Sequence, residues 1–277
     1  MAGNSSMVRA FASTLRVYDG QTAVMRVLLT GAEGTIGTAV REHLGDRFEL
    51  VSLTLTPQRF PSHVADISDL GAIQPAFEGV EAVVHLAASP AIETPWDEVL
   101  RNNLVGSYNV FEAARRGGVS RVVFASSNHA IGMYELDGAP GLYEVGDDRR
   151  YDHTAELRPD SLYGVSKAYG EALGRFYKER HGLRVFCLRI GAVRANDDPT
   201  VPSENPLLDL DADGRRNRMR AVWLSRRDCA ELIARCLEVE DVSWAIVYGV
   251  SANPRRFWDL EHARELLGWE PQDAAPA

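Results

Sequence analysis

Residues 25–55 read MRVLLTGAEGTIGTAVREHLGDRFELVSLTL. An apolar run from Met25 to Thr30 meets a glycine-rich turn, an amphipathic segment runs from Gly34 to Asp46, and a second apolar run spans Phe48 to Leu55. Short apolar runs bounded by turn residues read as buried strands, and the intervening 3.6-residue period reads as a helix. Gly31, Gly34 and Gly37 form a G-x-x-G-x-x-G spacing between strand and helix. The first glycine permits the tight turn, the second lets backbone approach a pyrophosphate, and the third lets the helix pack closely on the strand. The helix N-terminus then offers free N–H groups to phosphate. Gly31, Gly34, Thr35, Ile36 and Gly37 are therefore expected to hold a dinucleotide. Such sites usually carry an acid at the end of the second strand, gripping the adenosine ribose. Here Thr54 stands at that position, and no carboxylate lies between Glu49 and Asp66. The expected cofactor is NAD, with NADP left open because Thr54 replaces the acid and Arg59 could meet a 2′-phosphate.

Further apolar runs follow at EAVVHLAAS (81–89), RVVFASS (121–127), LRVFCLRIG (183–191) and WAIVYGVS (244–251). Between them lie segments of helical period, among them NVFEAARRGG (109–118) and AYGEALGRFYKERHG (168–182). Strands alternating with helices imply an α/β chain with a Rossmann-like, doubly wound parallel sheet. The expected organisation is a loose leader over residues 1–24, a dinucleotide-binding domain over 25–193, and a small C-terminal substrate-binding lobe over 194–277. Two irregular segments, Tyr134 to Asp160 and Arg194 to Asn217, interrupt the rhythm. Both follow strands at their carboxyl ends, where ligands of open α/β sheets sit, so both are expected to shape a substrate pocket.

A formal charge of −9 and the lack of a basic stripe argue against a nucleic-acid partner. Cys187, Cys229 and Cys236 match neither a disulfide framework nor zinc-ligand spacing, and no metal site is expected. Thiols without such a framework suit a reducing compartment, so the expected localisation is cytoplasmic. No run approaches the roughly 20 apolar residues of a membrane span, so no membrane partner is expected either.

Only two of the 30 basic residues are lysines, Lys167 and Lys178. Lys167 follows Tyr163 by four, which on a helix places both on one face. An ammonium beside a phenol stabilises the phenolate, making tyrosine usable as a base near neutrality. Lysine's compact head can also donate to ribose hydroxyls, which arginine's planar fork does less readily. Ser126 and Ser127 end the strand before this helix, and a serine hydroxyl there can donate to a substrate oxygen.

At this point the chain resembles the extended short-chain dehydrogenase/reductase family through TGAEGTIG, ADI, VVHLAA, NNLVGSYNV, FASSNH, YGVSK and LGWEP, from about Met25 to Pro271. Within that family it looks closest to uronate dehydrogenases, and is also similar to haloarchaeal-type NAD-dependent glucose-6-phosphate dehydrogenases. The resemblance implies a catalytic triad of Ser127, Tyr163 and Lys167. It implies further cofactor contacts at Asp66, Ile67, Leu86, Ala87, Ala88, Asn103 and Ile190, and sugar contacts at Ser89, Asn128 and His129. Arg218 falls where the uronate enzymes place an arginine for the sugar carboxylate, whereas Ala192 stands where they have a serine. The implied reaction is oxidation of a hexuronic acid at C1 to the aldarolactone. The alternatives are a sugar phosphate oxidised at the same carbon, a nucleotide-sugar epimerase or dehydratase, and a non-catalytic NAD(P) sensor. A homodimer or larger homo-oligomer is also implied, pairing the helices that contain NVFEAARR and AYGEALGRFY.

Overall fold

A computed structural model describes residues 17–18, 21–22, 24–202 and 204–277. Most of the expected leader lies outside the described residues; within it, β1 (Val17–Tyr18) and β2 (Gln21–Thr22) form a short antiparallel ladder. The body is one parallel sheet of seven strands. In chain order these are β3 (Arg26–Thr30), β4 (Glu49–Thr54), β5 (His63–Val64), β6 (Ala82–His85), β7 (Arg121–Ser127), β8 (Arg184–Ile190) and β9 (Trp244–Gly249). Their spatial order is β5-β4-β3-β6-β7-β8-β9. The chain thus winds outward from β3 in one direction, returns, and winds out in the other. The five apolar runs after the glycine turn became β4, β6, β7, β8 and β9; the two-residue edge strand β5 carries too little pattern to foresee.

Helices cover both faces because each central strand is apolar on both. Val27 and Leu29 of β3 point into one core cluster and Leu28 into the other; Val84 and Val83 of β6 divide in the same way. That alternation follows from the two-residue period of a strand buried on both faces. One layer holds α1 (Thr35–Leu44) beside α8 (Arg226–Glu238). The other holds α4 (Gly106–Arg116) beside α6 (Leu162–His181), with the short α2 (Leu70–Ile73). Leading into α4, α3 (Trp96–Glu98) continues through a π-helical turn, Val99–Val105.

The two irregular segments carry more structure than their composition suggests. Tyr134 to Asp160 overlaps α5 (Met133–Gly138) and a 3-10 turn at Gly141–Tyr143, whose Leu142 and Tyr143 are buried. Arg194 to Asn217 runs into α7 (Ala212–Val222). After α9 (Glu261–Leu267) the tail has no regular structure yet is firmly held. Gln272 N and Asp273 N donate to the buried Asp228 carboxylate at 2.8 and 3.1 Å, Ala275 N donates to Asn253 Oδ1 at 2.9 Å, and Ala275 packs against Met219 and Trp223.

Candidate active site

The reversal of winding between β3 and β6 opens a cleft of about 800 Å3 above the carboxyl ends of the strands. Gly31 forms its floor with φ +69°, a conformation that disfavours a side chain, and a Cβ there would stand 2.9 Å from Ala87 N. A Cβ on Gly37 would stand 2.4 Å from Gly31 O, so the third glycine closes the turn against α1. Gly31, Gly34, Thr35, Ile36 and Gly37 line the cleft, together with Asp66, Ile67, Leu86, Ala87, Ala88 and Ile190. A backbone cradle with no room for side chains, set at a helix N-terminus, fits the pyrophosphate of a dinucleotide. Ile67 is held by Asn109, whose Nδ2 donates to its carbonyl at 2.9 Å.

Ser127, Tyr163 and Lys167 line the same cleft. The strand β7 delivers Ser127, whose hydroxyl accepts from His129 N and donates to Asn128 Oδ1, each at 3.2 Å. The helix α6 delivers the other two. Ser161 caps it by accepting from Gly164 N at 3.0 Å, and Gly170 lets it press onto β7, since a Cβ there would meet the Phe124 ring at 2.1 Å. Lys167 is buried, with Nζ donating to Ala125 O at 2.8 Å and lying 5.4 Å from the centre of the Tyr163 ring.

The expected help of this ammonium to the phenol is opposed by burial. Burial pushes Tyr163 up to about 12, against a hydrogen bond with Ser127 that lowers it and with the Asp160 charge adding to the rise. Lys167 is pulled down to about 8 by burial. The lysine head is committed to a strand carbonyl, and desolvation of the phenol outweighs the help it receives.

Ser89, Asn128, His129 and Arg218 line the cleft too. Asn103, expected at the cofactor, does not line the cleft; it is buried behind it. Its Oδ1 accepts from Ser89 N at 2.8 Å while its Nδ2 donates to Ser89 O at 3.1 Å and Ser166 Oγ at 3.0 Å. Asn102 Nδ2 adds a bond to Ser89 Oγ at 2.9 Å. The role of Asn103 is thus to hold the Ser89 loop. His129 Nδ1 lies 2.6 Å from Asp160 Oδ2, a pairing that fixes the ring.

Arg218 lines the cleft but is already engaged: Nε and Nη2 donate to the two oxygens of buried Glu135 at 2.9 and 3.3 Å, and Tyr143 donates to the same carboxylate at 2.8 Å. Burial lowers and the Glu135 charge raises the Arg218 pKa, with a net rise, so the guanidinium stays charged. Arg59 is exposed and is not among the described residues that line the cleft.

Sequence reading missed four acids. Glu135 and Asp160 sit in segments read as irregular, and Glu171 looks like a solvated helix position. Glu171 is instead buried under the site, accepting from Ser126 Oγ at 2.6 Å and paired with Arg189 through two bonds of 3.0 Å. The fourth, Glu33, stands inside the glycine turn and lines the cleft; an acid between the motif's glycines was the only signal for it.

A dinucleotide cradle at the sheet's switch point, with Tyr163 and Lys167 projecting from the helix that follows β7, is the arrangement of the extended short-chain dehydrogenases/reductases. The chain belongs to the NAD dependent epimerase/dehydratase family, whose model matches residues 27–202. It is 42% identical over 258 residues to the NAD-dependent glucose-6-phosphate dehydrogenase of Haloferax volcanii, covering 89% of this chain and 93% of that protein. It is 35% identical over 262 residues to the uronate dehydrogenase of Pseudomonas syringae pv. tomato, covering 92% and 84%. A mutant uronate dehydrogenase from Agrobacterium tumefaciens, solved in complex with NAD, superposes with a TM-score of 0.76 at 33% identity, covering 91% of this chain and 86% of that one.

Proposed function

We propose that this protein oxidises a hexuronic acid of the glucuronate or galacturonate type at C1, giving the aldarolactone and reduced NAD. That it is an NAD-dependent oxidoreductase acting on a sugar follows from its family and relatives. The finer reading is carried by one observation: a single guanidinium, Arg218, lines the cleft along with Ser89, Asn128, His129, Tyr163 and Ser127. Arg218 keeps its charge but shares it with Glu135, and Glu93 also lines the cleft. One shared cation in acidic company suits a monocarboxylate better than a dianionic phosphate.

In this reading Tyr163 receives the proton of the C1 hydroxyl, Ser127 donates to the same oxygen, and Lys167 orients the ribose. Oxidised nicotinamide, when bound, would supply the hydride acceptor. Asn128, and His129 held by Asp160, fix the sugar hydroxyls. A sugar phosphate is the second reading, favoured by the 42% identity to a glucose-6-phosphate dehydrogenase.

The test offers glucuronate, galacturonate, glucose 6-phosphate and a UDP-sugar with NAD, and follows reduced cofactor by near-ultraviolet absorbance. The uronates are expected to turn over with the highest kcat/KM, and Tyr163→Phe is expected to lose at least about 10²-fold in turnover while binding NAD within about twofold of the parent. Preference for glucose 6-phosphate selects the second reading; an unimpaired Tyr163→Phe overturns the mechanism.

A further inference from the structure

We infer that Glu33, an acid within the glycine turn, replaces the missing carboxylate at the end of β4 and selects a dinucleotide whose adenosine 2′-hydroxyl is free. The inference rests on the dinucleotide reading of the cleft and adds a determinant to it. Three observations carry it.

First, the usual position is disabled. Thr54 is buried, and its hydroxyl donates to Thr56 O at 2.9 Å and lies 3.1 Å from Ser62 Oγ, so it is spent inside its own loop. Second, Glu33 reaches the same place from another element. Its Oε1 accepts from Leu55 N at 3.1 Å, the residue directly after β4, and Glu33, Thr54 and Leu55 line the cleft together. The carboxylate therefore stands at the strand end where an acid grips the ribose, although its Cα belongs to the turn. A carboxylate has about four acceptor sites, so one bond to Leu55 N leaves capacity for ribose hydroxyls.

Third, the neighbouring charges are unsuited to a 2′-phosphate. Asp66 is the other charged residue lining that end; its carboxylate accepts from Ser68 N at 2.8 Å and pairs with Arg101. Arg41 does not line the cleft; its head is held at the outer side of the turn, with Nε donating to Ala32 O at 3.2 Å and its guanidinium 3.7 Å from the centre of the Phe60 ring. A phosphate entering here meets the Glu33 carboxylate and loses the hydrogen bond that a hydroxyl makes.

The experiment measures binding, not turnover. NAD, NADP, 5′-AMP and 2′,5′-ADP are titrated calorimetrically into the parent protein, Glu33→Gln and Glu33→Lys, each checked for an unchanged thermal transition. Glutamine keeps an oxygen for Leu55 N, so the turn survives while the charge is removed. The parent is expected to prefer NAD over NADP, and 5′-AMP over 2′,5′-ADP, by at least about tenfold. Glu33→Gln should shrink both ratios by about tenfold, and Glu33→Lys should reverse them. Equal weakening of both members of each pair means that Glu33 only fastens the turn, which overturns the inference, as do unchanged ratios. A parent that binds none of the four probes overturns the dinucleotide reading itself.

Discussion

Lys167 shows what a single residue gains and loses by being buried. Its four-residue spacing from Tyr163 was legible in the sequence, because helical geometry alone brings the pair to one face. Its electrostatics were not, because they depend on Ala125 O and on burial supplied by elements far along the chain. Burial lowers the pKa from 10.5 to about 8, so the ammonium is intact below that pH and is lost as pH rises through it. If the charged head serves the ribose and the phenol, kcat/KM should fall above pH about 8 in the parent. In Lys167→Arg the guanidinium stays charged past pH about 12, so the residual activity should lack that alkaline limb. A limb of unchanged midpoint in the arginine variant would assign it to another group. Glu33 and Asp160 make the complementary point: each is an ordinary acid by type and spacing, and only the folded chain shows what it faces.

At the scale of elements, α6 is the part on which the site depends most. It is capped by Ser161, stopped by Gly182 in the left-handed conformation, and pressed onto β7 and β8 through Gly170 and Gly174. Glu171, one residue past Gly170, ties the helix to the sheet by accepting from Ser126 on β7 and pairing with Arg189 on β8, whose Nη1 donates to the Tyr248 hydroxyl at 2.9 Å. All four residues are buried. Glu171→Ala would leave the Arg189 guanidinium in the interior without its counter-charge, at an expected cost of about 3–5 kcal/mol. Chemical denaturation should show this as a lower midpoint with an unchanged slope. A loss below about 1 kcal/mol would mean that water or a shifted side chain compensates the arginine. The helix itself was foreseeable from its period. The buried ion pair was not, since an acid amid the polar positions of AYGEALGRFYKE reads as solvated until the strand opposite is known.

For the whole molecule, the order of strands and the position of the cleft follow from alternation of strand and helix, a rule that requires only the chain's apolar pattern. The surroundings of Arg218 and Glu135 were less legible, because α5 and α7 come from segments whose composition resembles surface loop and whose burial comes from contacts distant in sequence. Leu100, Val105, Tyr108, Leu162, Val165 and Phe176 remain exposed on the π-turn, α4 and α6, which pack side by side. Apolar side chains gathered on neighbouring helices mark a site of association. The protein should therefore sediment as a dimer, and Val165→Glu combined with Phe176→Glu should give a species near the 30.6 kDa of one chain. A parent that sediments at that mass, or a doubly substituted protein that stays dimeric, would place the interface elsewhere or remove it. The carboxyl-terminal strip, with neither helix nor strand, bears on the other end of the molecule. Ala275 props Met219 and Trp223, the two residues that flank the inner side of the helix carrying Arg218. Bulk added at Ala275 is therefore not neutral: it pushes on the doorstop behind the Arg218 guanidinium.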